Sequence, residues 1–355
     1  MQIRHLGHFV VAGLLAWAMP ATAQAQSQAT SQARAQSPVQ AQARDFQAQF
    51  DTTLGTQPRA PQTFHAIYEN AFEQRIAELA NGAKGRIGVA AVDLSTGQQI
   101  SVLGDQYFPM ASTSKIAVAA TFLEGVEKGR WSLTSEFPLL LSRRSSPFSG
   151  KVAPVYEGQR MKAADLIEIM ITRSSNPATD ALLRVVGGPK EVTAWTRRAG
   201  IRDFSIDRDI ATLVRDDGEF DPASHIDKRD SATPNAMLDL LTGLYQGKFL
   251  SAESRRVLLG AMSRTRTGTR RIPALMPAGV RVSHKTGSLN NTSSDIGILE
   301  MPDGRAVAVA IYVTGQGSRL NREAKIAQIA RALHDGYAAQ KAQRNFTGAT
   351  HNGGQ

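Results

Sequence analysis

The stretch Ile116-Ala117-Val118-Ala119-Ala120-Thr121-Phe122-Leu123 constrains this chain more than any other. It is apolar on nearly every face, and a helix of that kind is buried on all sides. A lysine in the first turn of such a helix is an anomaly, because an unpaired ammonium is costly to bury. Lys115 stands there, directly after Ser112-Thr113-Ser114. Positions i and i+3 of a helix share a face, which places Lys115 beside the Ser112 hydroxyl. A desolvated lysine loses its proton near neutral pH and acts as a base. The helix N-terminus adds partial positive charge where an alkoxide or an oxyanion would form. Together these features describe a serine nucleophile activated without histidine.

Two more motifs lie downstream. Ser174-Ser175-Asn176 follows a predicted helix over residues 164–171 and precedes Pro177, so it falls in a break. Lys285-Thr286-Gly287 follows residues 280–284, whose alternation reads as a strand. Each motif alone is weak, and Ser288-Leu289-Asn290 also fits Ser-x-Asn. The order Ser-x-x-Lys, Ser-x-Asn, Lys-Thr-Gly is far more specific, being the trio of class A β-lactamases and penicillin-binding proteins. On these residues the chain resembles the class A serine β-lactamase family over roughly residues 60–340. The segment Val186-Gly187-Gly188-Pro189-Lys190-Glu191-Val192-Thr193-Ala194-Trp195 adds to the resemblance. So does Thr267-Gly268-Thr269-Arg270-Arg271-Ile272, which looks like the family's Thr-Gly-x-x-Arg-Ile.

The resemblance implies a role for each position. Ser112 would attack a lactam carbonyl and become acylated. Lys115 would take or relay its proton, and Ser174 would pass a proton to the leaving nitrogen. Asn176 would hold the substrate's side-chain amide. Lys285, Thr286, Ser288 and Arg271 would bind the substrate carboxylate. The backbone N–H groups of Ser112 and Ser288 would form an oxyanion hole. No metal and no cofactor enters this chemistry.

Three departures from the family pattern bear on deacylation. The family positions its hydrolytic water with a glutamate in an Ω-loop segment Arg-x-Glu-Pro-x-Leu-Asn, and no Glu-Pro occurs in this chain. Counting forward from Ser174 reaches Asp207-Arg208-Asp209-Ile210, where no carboxylate is suitably placed. Counting back from Asp230-Ser231-Ala232-Thr233-Pro234 reaches Arg215-Asp216-Asp217-Gly218-Glu219-Phe220-Asp221. The second register is preferred, since it matches an arginine, an acid and an aspartate together. It makes Arg215 and Asp230 the salt-bridged ends of the loop and Asp217 the counterpart of the glutamate, with Glu219 as a substitute. Asp217 is one methylene shorter than glutamate, and a displacement of about 1 Å can cost roughly a hundredfold in rate. Ser175 stands where the family has aspartate, and Asp180 where it has asparagine.

Residues 1–25 carry Arg4 and His5, an apolar stretch and two Ala-x-Ala signals, the pattern of a secretory signal peptide. Residues 26–59 are rich in Gln, Ala and Ser and read as a disordered linker. Residues 60–340 form the hydrolase domain, and 341–355 are expected to be a disordered tail. A periplasmic or secreted monomer without a stable membrane anchor follows. With no cysteine there is neither a disulfide nor a lipid attachment site. The net charge of +10 invites a nucleic-acid reading. The chain lacks a nucleic-acid motif and has few aromatics, so a field attracting anionic substrates is preferred. His-Glu-x-x-His and Gly-x-Ser-x-Gly are both absent, which argues against a zinc hydrolase and a Ser-His-Asp hydrolase.

The layout points to an α/β fold. A helix is expected over 64–79, a hairpin over 86–94 and 98–103, strands over 280–289, 294–301 and 305–314, and a closing helix over 322–337. Strands from both ends then form one antiparallel sheet flanked by helices, with an all-helical lobe inserted from about 110 to 265. The leading functional expectation is hydrolysis of β-lactams through an acyl-serine. A D-Ala-D-Ala peptidase or acyltransferase acting on peptidoglycan stem peptides, or a slowly deacylating β-lactam binder, is the alternative. Deacylation discriminates among them.

Overall fold

A computed structural model describes residues 70–351, and the side chains through Gln340. The expected signal peptide and linker, and the first residues of the expected first helix, lie outside the described residues. Helix α1 (Ala71–Leu79) opens the described chain, and its N-cap Asn70 accepts a hydrogen bond from the Glu73 N–H at 3.0 Å. Strands β1 (Ile87–Asp93) and β2 (Gln99–Val102) form the first hairpin. Strands β8 (Arg281–Leu289), β9 (Thr292–Glu300) and β10 (Ala306–Thr314) come from the far end of the chain. All five join one antiparallel sheet in the order β2-β1-β10-β9-β8, with Val89 opposite Ile311 at its centre.

Alternation along β10 divides the core in two. Ala306, Ala308, Ala310 and Tyr312 face the helical side, whereas Val307, Val309, Ile311 and Val313 face the other. The second face packs on Ile76 of α1 and on Ile326, Ile329, Leu333 and Tyr337 of the closing helix α9 (Arg319–His351). That helix runs past the expected end near 337 into the segment expected to be a disordered tail. Ala338-Ala339-Gln340-Lys341-Ala342-Gln343-Arg344 are strong helix formers with no proline among them.

The first face packs on α2 (Lys115–Glu127), whose residues 115–123 are all buried. Around it lie α3 (Ala163–Thr172), α4 (Asn176–Val186) and α5 (Pro189–Arg198). Helices α7 (Pro234–Gln246) and α8 (Ala252–Ser263) complete this layer, and a short α6 (Ile210–Arg215) lies beside α4. Caps are local: Ser175 serves Ala178 N, Asp209 serves Thr212 N, and Thr233 serves Ala236 N.

The inserted region is helical in the main but also carries two small sheets. One is a hairpin of β4 (Glu136–Ser142) and β5 (Val155–Lys162), irregular between Pro138 and Leu140. The other joins β3 (Phe108–Pro109), β7 (Ser231–Ala232) and β6 (Phe204–Ser205), in the order β3-β7-β6. This second sheet straps both ends of the 206–230 loop to the residues leading into Ser112, aided by the Met110 N–H donating to Asp230 O at 3.0 Å.

Candidate active site

Ser112 lies in a single 3₁₀ turn (Ala111–Ser114) that feeds directly into α2. Ala111, immediately before it, has φ of 49°. A non-glycine residue held there stores strain of about 1–3 kcal/mol, which packing must over-determine. The packing is visible at Gly287 on β8. A β-carbon at that position would lie 2.7 Å from Met110 O and 3.1 Å from Ala111 Cβ. Only glycine lets the strand press this closely on the nucleophile turn, which accounts for the third member of Lys285-Thr286-Gly287.

Lys115 is completely buried. Its Nζ donates to Ser174 O at 2.8 Å, to Asn176 Oδ1 at 2.7 Å and to Ser174 Oγ at 3.2 Å. The Ser112 hydroxyl, beside which the lysine amine was expected, is not among these partners; Lys115 bonds to Ser112 only through its backbone N–H, which donates to Ser112 O. The Ser112 hydroxyl itself makes no hydrogen bond among the described residues. Burial drives the Lys115 amine well below the ordinary lysine value, the neighbouring Lys285 lowers it further, and Asp180 opposes both.

Ser174 occupies the break after α3 with φ of 59°. Its hydroxyl receives a second lysine, as Lys285 Nζ donates to Ser174 Oγ at 3.0 Å and to Thr286 O at 2.8 Å. Lys285 is also completely buried, and desolvation brings it down to about 7. Asp295, opposite Thr286 on β9, favours its charged form. The Thr286 hydroxyl pairs with that of Thr267 at 2.7 Å, and Ser288, one step beyond Gly287, is exposed.

Arg271 points at β8 as expected, but from behind it. Its guanidinium is 1% exposed. It donates to Gly287 O, Ser294 O, Ser288 Oγ and Glu323 Oε1, at 2.6–3.3 Å. All five N–H donors are committed, so Arg271 does not bind a substrate carboxylate itself. It holds Ser288 and the strand in place.

The preferred loop register is corrected. Arg208, not Arg215, closes the loop, with Nε 2.6 Å from Asp230 Oδ2. Arg215 pairs instead with its neighbour Asp216 and with Lys151 O. Counting from Arg208 aligns Leu213 with the leucine of Arg-x-Glu-Pro-x-Leu and puts Ile210 in the glutamate's place. Asp217 is exposed, and both its oxygens accept the Asn290 N–H at 2.9 Å, which ties the loop to the β8–β9 turn. Glu219 pairs with Arg229 at 2.8 Å. Neither acid faces Lys115. The acid that does is Asp180, 4% exposed, whose two oxygens accept the Ile210 and Ala211 N–H groups at 2.7 and 2.9 Å. Burial raises its carboxyl to about 7. The Arg208–Leu213 spacing was the available signal for this register; the run of acids after Arg215 obscured it.

A buried lysine behind a serine, where an antiparallel sheet meets a helical layer, defines a class of proteins that transfer acyl groups through serine. The comparisons narrow the class. Residues 71–337 match the β-lactamase enzyme family. β-Lactamase CTX-M-8 of Citrobacter amalonaticus is 31% identical over 273 residues, which are 76% of this chain and 90% of that protein. β-Lactamase SME-1 of Serratia marcescens is 29% identical over 253 residues, 70% of this chain and 83% of that one. The crystal structure of a β-lactamase from Chitinophaga pinensis superposes with a TM-score of 0.66 at 30% identity, covering 76% of this chain and 100% of that chain. A variant of the reconstructed last common ancestor of Gram-negative class A β-lactamases gives 0.65 at 33% identity, with the same coverage. The chain belongs to the β-lactamase enzyme family.

Proposed function

We propose that this protein hydrolyses β-lactams through an acyl-enzyme on Ser112. The observation that carries the reading is the convergence of Lys115 Nζ and Lys285 Nζ on Ser174 Oγ, beside a strained serine turn. Ser112 Oγ adds to the lactam carbonyl and gives its proton to the Lys115 amine, which burial keeps neutral enough to accept it. The oxyanion is held by the Ser112 and Ser288 N–H groups. Ser174 Oγ protonates the departing ring nitrogen and is reprotonated from the lysines on either side. Lys285 in its charged form, with Thr286 and Ser288, binds the substrate carboxylate, and Asn176 holds the side-chain amide. The protein acts as a secreted or periplasmic monomer on a small-molecule β-lactam, without a stable membrane anchor, a nucleic-acid partner, a metal or a cofactor.

The test mixes purified protein with a chromogenic cephalosporin and follows it by absorbance and intact mass. Sustained hydrolysis with a transient adduct on Ser112, abolished in Ser112→Ala, is the expected result. A single burst leaving a permanent adduct would overturn hydrolysis in favour of a binder or an inhibited peptidase.

A further inference from the structure

Between α4, α6 and the β4–β5 loop lies a cavity of about 250 Å³ lined by Asn176, Asp180, Ile210, Ala211 and Val214. It has room for several waters. Asn176 joins it to the buried lysine of the site, since its Oδ1 accepts Lys115 Nζ at 2.7 Å. The acyl ester on Ser112 must be cleaved by a water, and that water needs a base. At the head of α6 the glutamate's place is taken by Ile210, an apolar side chain that cannot serve. The brace of the loop is nevertheless intact, with Arg208 on Asp230 and the Ile210 and Ala211 N–H groups fixed on Asp180. Asp180 is thus the one carboxylate among the described residues that lines this cavity.

We propose that Asp180 is the general base of deacylation, acting on a water held in this cavity. The inference rests on the β-lactam reading. In the step, water oxygen bonds to the ester carbonyl carbon while its proton passes to the Asp180 carboxylate. The tetrahedral intermediate then expels Ser112 Oγ, breaking the C–Oγ bond; Lys115 gives Oγ a proton and is reprotonated by Asp180, which is ionised again as the ring-opened acid leaves. A carboxyl titrating near 7 is matched to this task at neutral pH.

Rapid mixing with a chromogenic cephalosporin separates acylation, read as a burst and as adduct mass, from deacylation, read as steady turnover. Asp180→Asn is expected to acylate within about threefold of the wild type, showing that its site is folded, and to deacylate at least a hundredfold more slowly, the lower range for a lost base. Adding Ile210→Glu to Asp180→Asn returns a carboxylate to the cavity and is expected to recover turnover at least tenfold. Deacylation unchanged in Asp180→Asn would overturn the assignment while leaving Ser112 acylation intact. A wild type that never acylates Ser112 would instead overturn the β-lactam reading, and this inference with it. If Asp180→Asn does not fold, wild-type turnover at saturating substrate decides. Lys115, Asp209, Arg143, Arg144 and Arg215 are the charged groups around Asp180 and its cavity. Turnover rising with pH to a plateau above about 7 supports the base, and a flat profile from about 5 to about 8 overturns it.

Discussion

Asp180 and Lys285 are both displaced to about 7 by burial, from opposite sides. The folded chain keeps a proton on Asp180 that the unfolded chain gives up, so stability falls as pH rises from its ordinary 3.8 to about 7. The folded chain lacks a proton that unfolded Lys285 binds, so stability rises as pH goes from about 7 toward 10.5. Each limb is on the order of 4–5 kcal/mol at most. Together they place a dip in stability near neutrality. Urea unfolding of Asp180→Asn, compared with the wild type at about pH 5 and about pH 7, should show the variant without the acid-side decline. An identical decline in both would remove Asp180 as its source. The burial of Lys115 was legible, because an ammonium at the head of an apolar helix is so costly that it stands out in a bare sequence, whereas Lys285 was reached only through the order of the three motifs. The loop register was not legible: Asp217 reads as the loop's acid until Asn290 claims it, and only the Arg208–Asp230 pair shows which arginine closes the loop.

At the scale of elements, β8 and the 111–114 turn form one unit through Gly287. Gly287→Ala would set a methyl 2.4 Å from Ser294 Oγ and 2.7 Å from Met110 O, a backbone atom with no rotamer to escape by. Acylation should slow more than tenfold, with β-lactam carboxylates still bound by Lys285 and Thr286. A variant acylating at the wild-type rate would show that the close approach is dispensable. The loop brace makes a second prediction. Asp230 also accepts the Asp207 and Arg208 N–H groups. Asp230→Ala should therefore cost about 3 kcal/mol, as expected when one partner of a buried pair is removed. A change below about 1 kcal/mol in thermal unfolding would show the loop held by other contacts. The sheet strands were legible to within a residue or two, since β1 and β10 are apolar runs and Asp303-Gly304 is a plain turn. The β4–β5 hairpin was not, because Pro138 interrupts its alternation and its strands read as loop around a helix-rich stretch.

Across the whole molecule, a net charge of +10 should draw anionic substrates toward the site. The kcat/KM for a β-lactam carboxylate should fall several-fold between about 0.01 M and 1 M salt, as the screening length shrinks from about 30 Å to about 3 Å. A flat dependence would confine the charge to solubility. The sheet itself has a consequence for how the chain is made. Arg86 and Thr314 bond to each other across 228 residues, and the strands they flank sit side by side at its centre. No central pairing exists until the last strand has been synthesised. Pairing first strand with last acts as a timer that postpones folding until the chain is nearly whole.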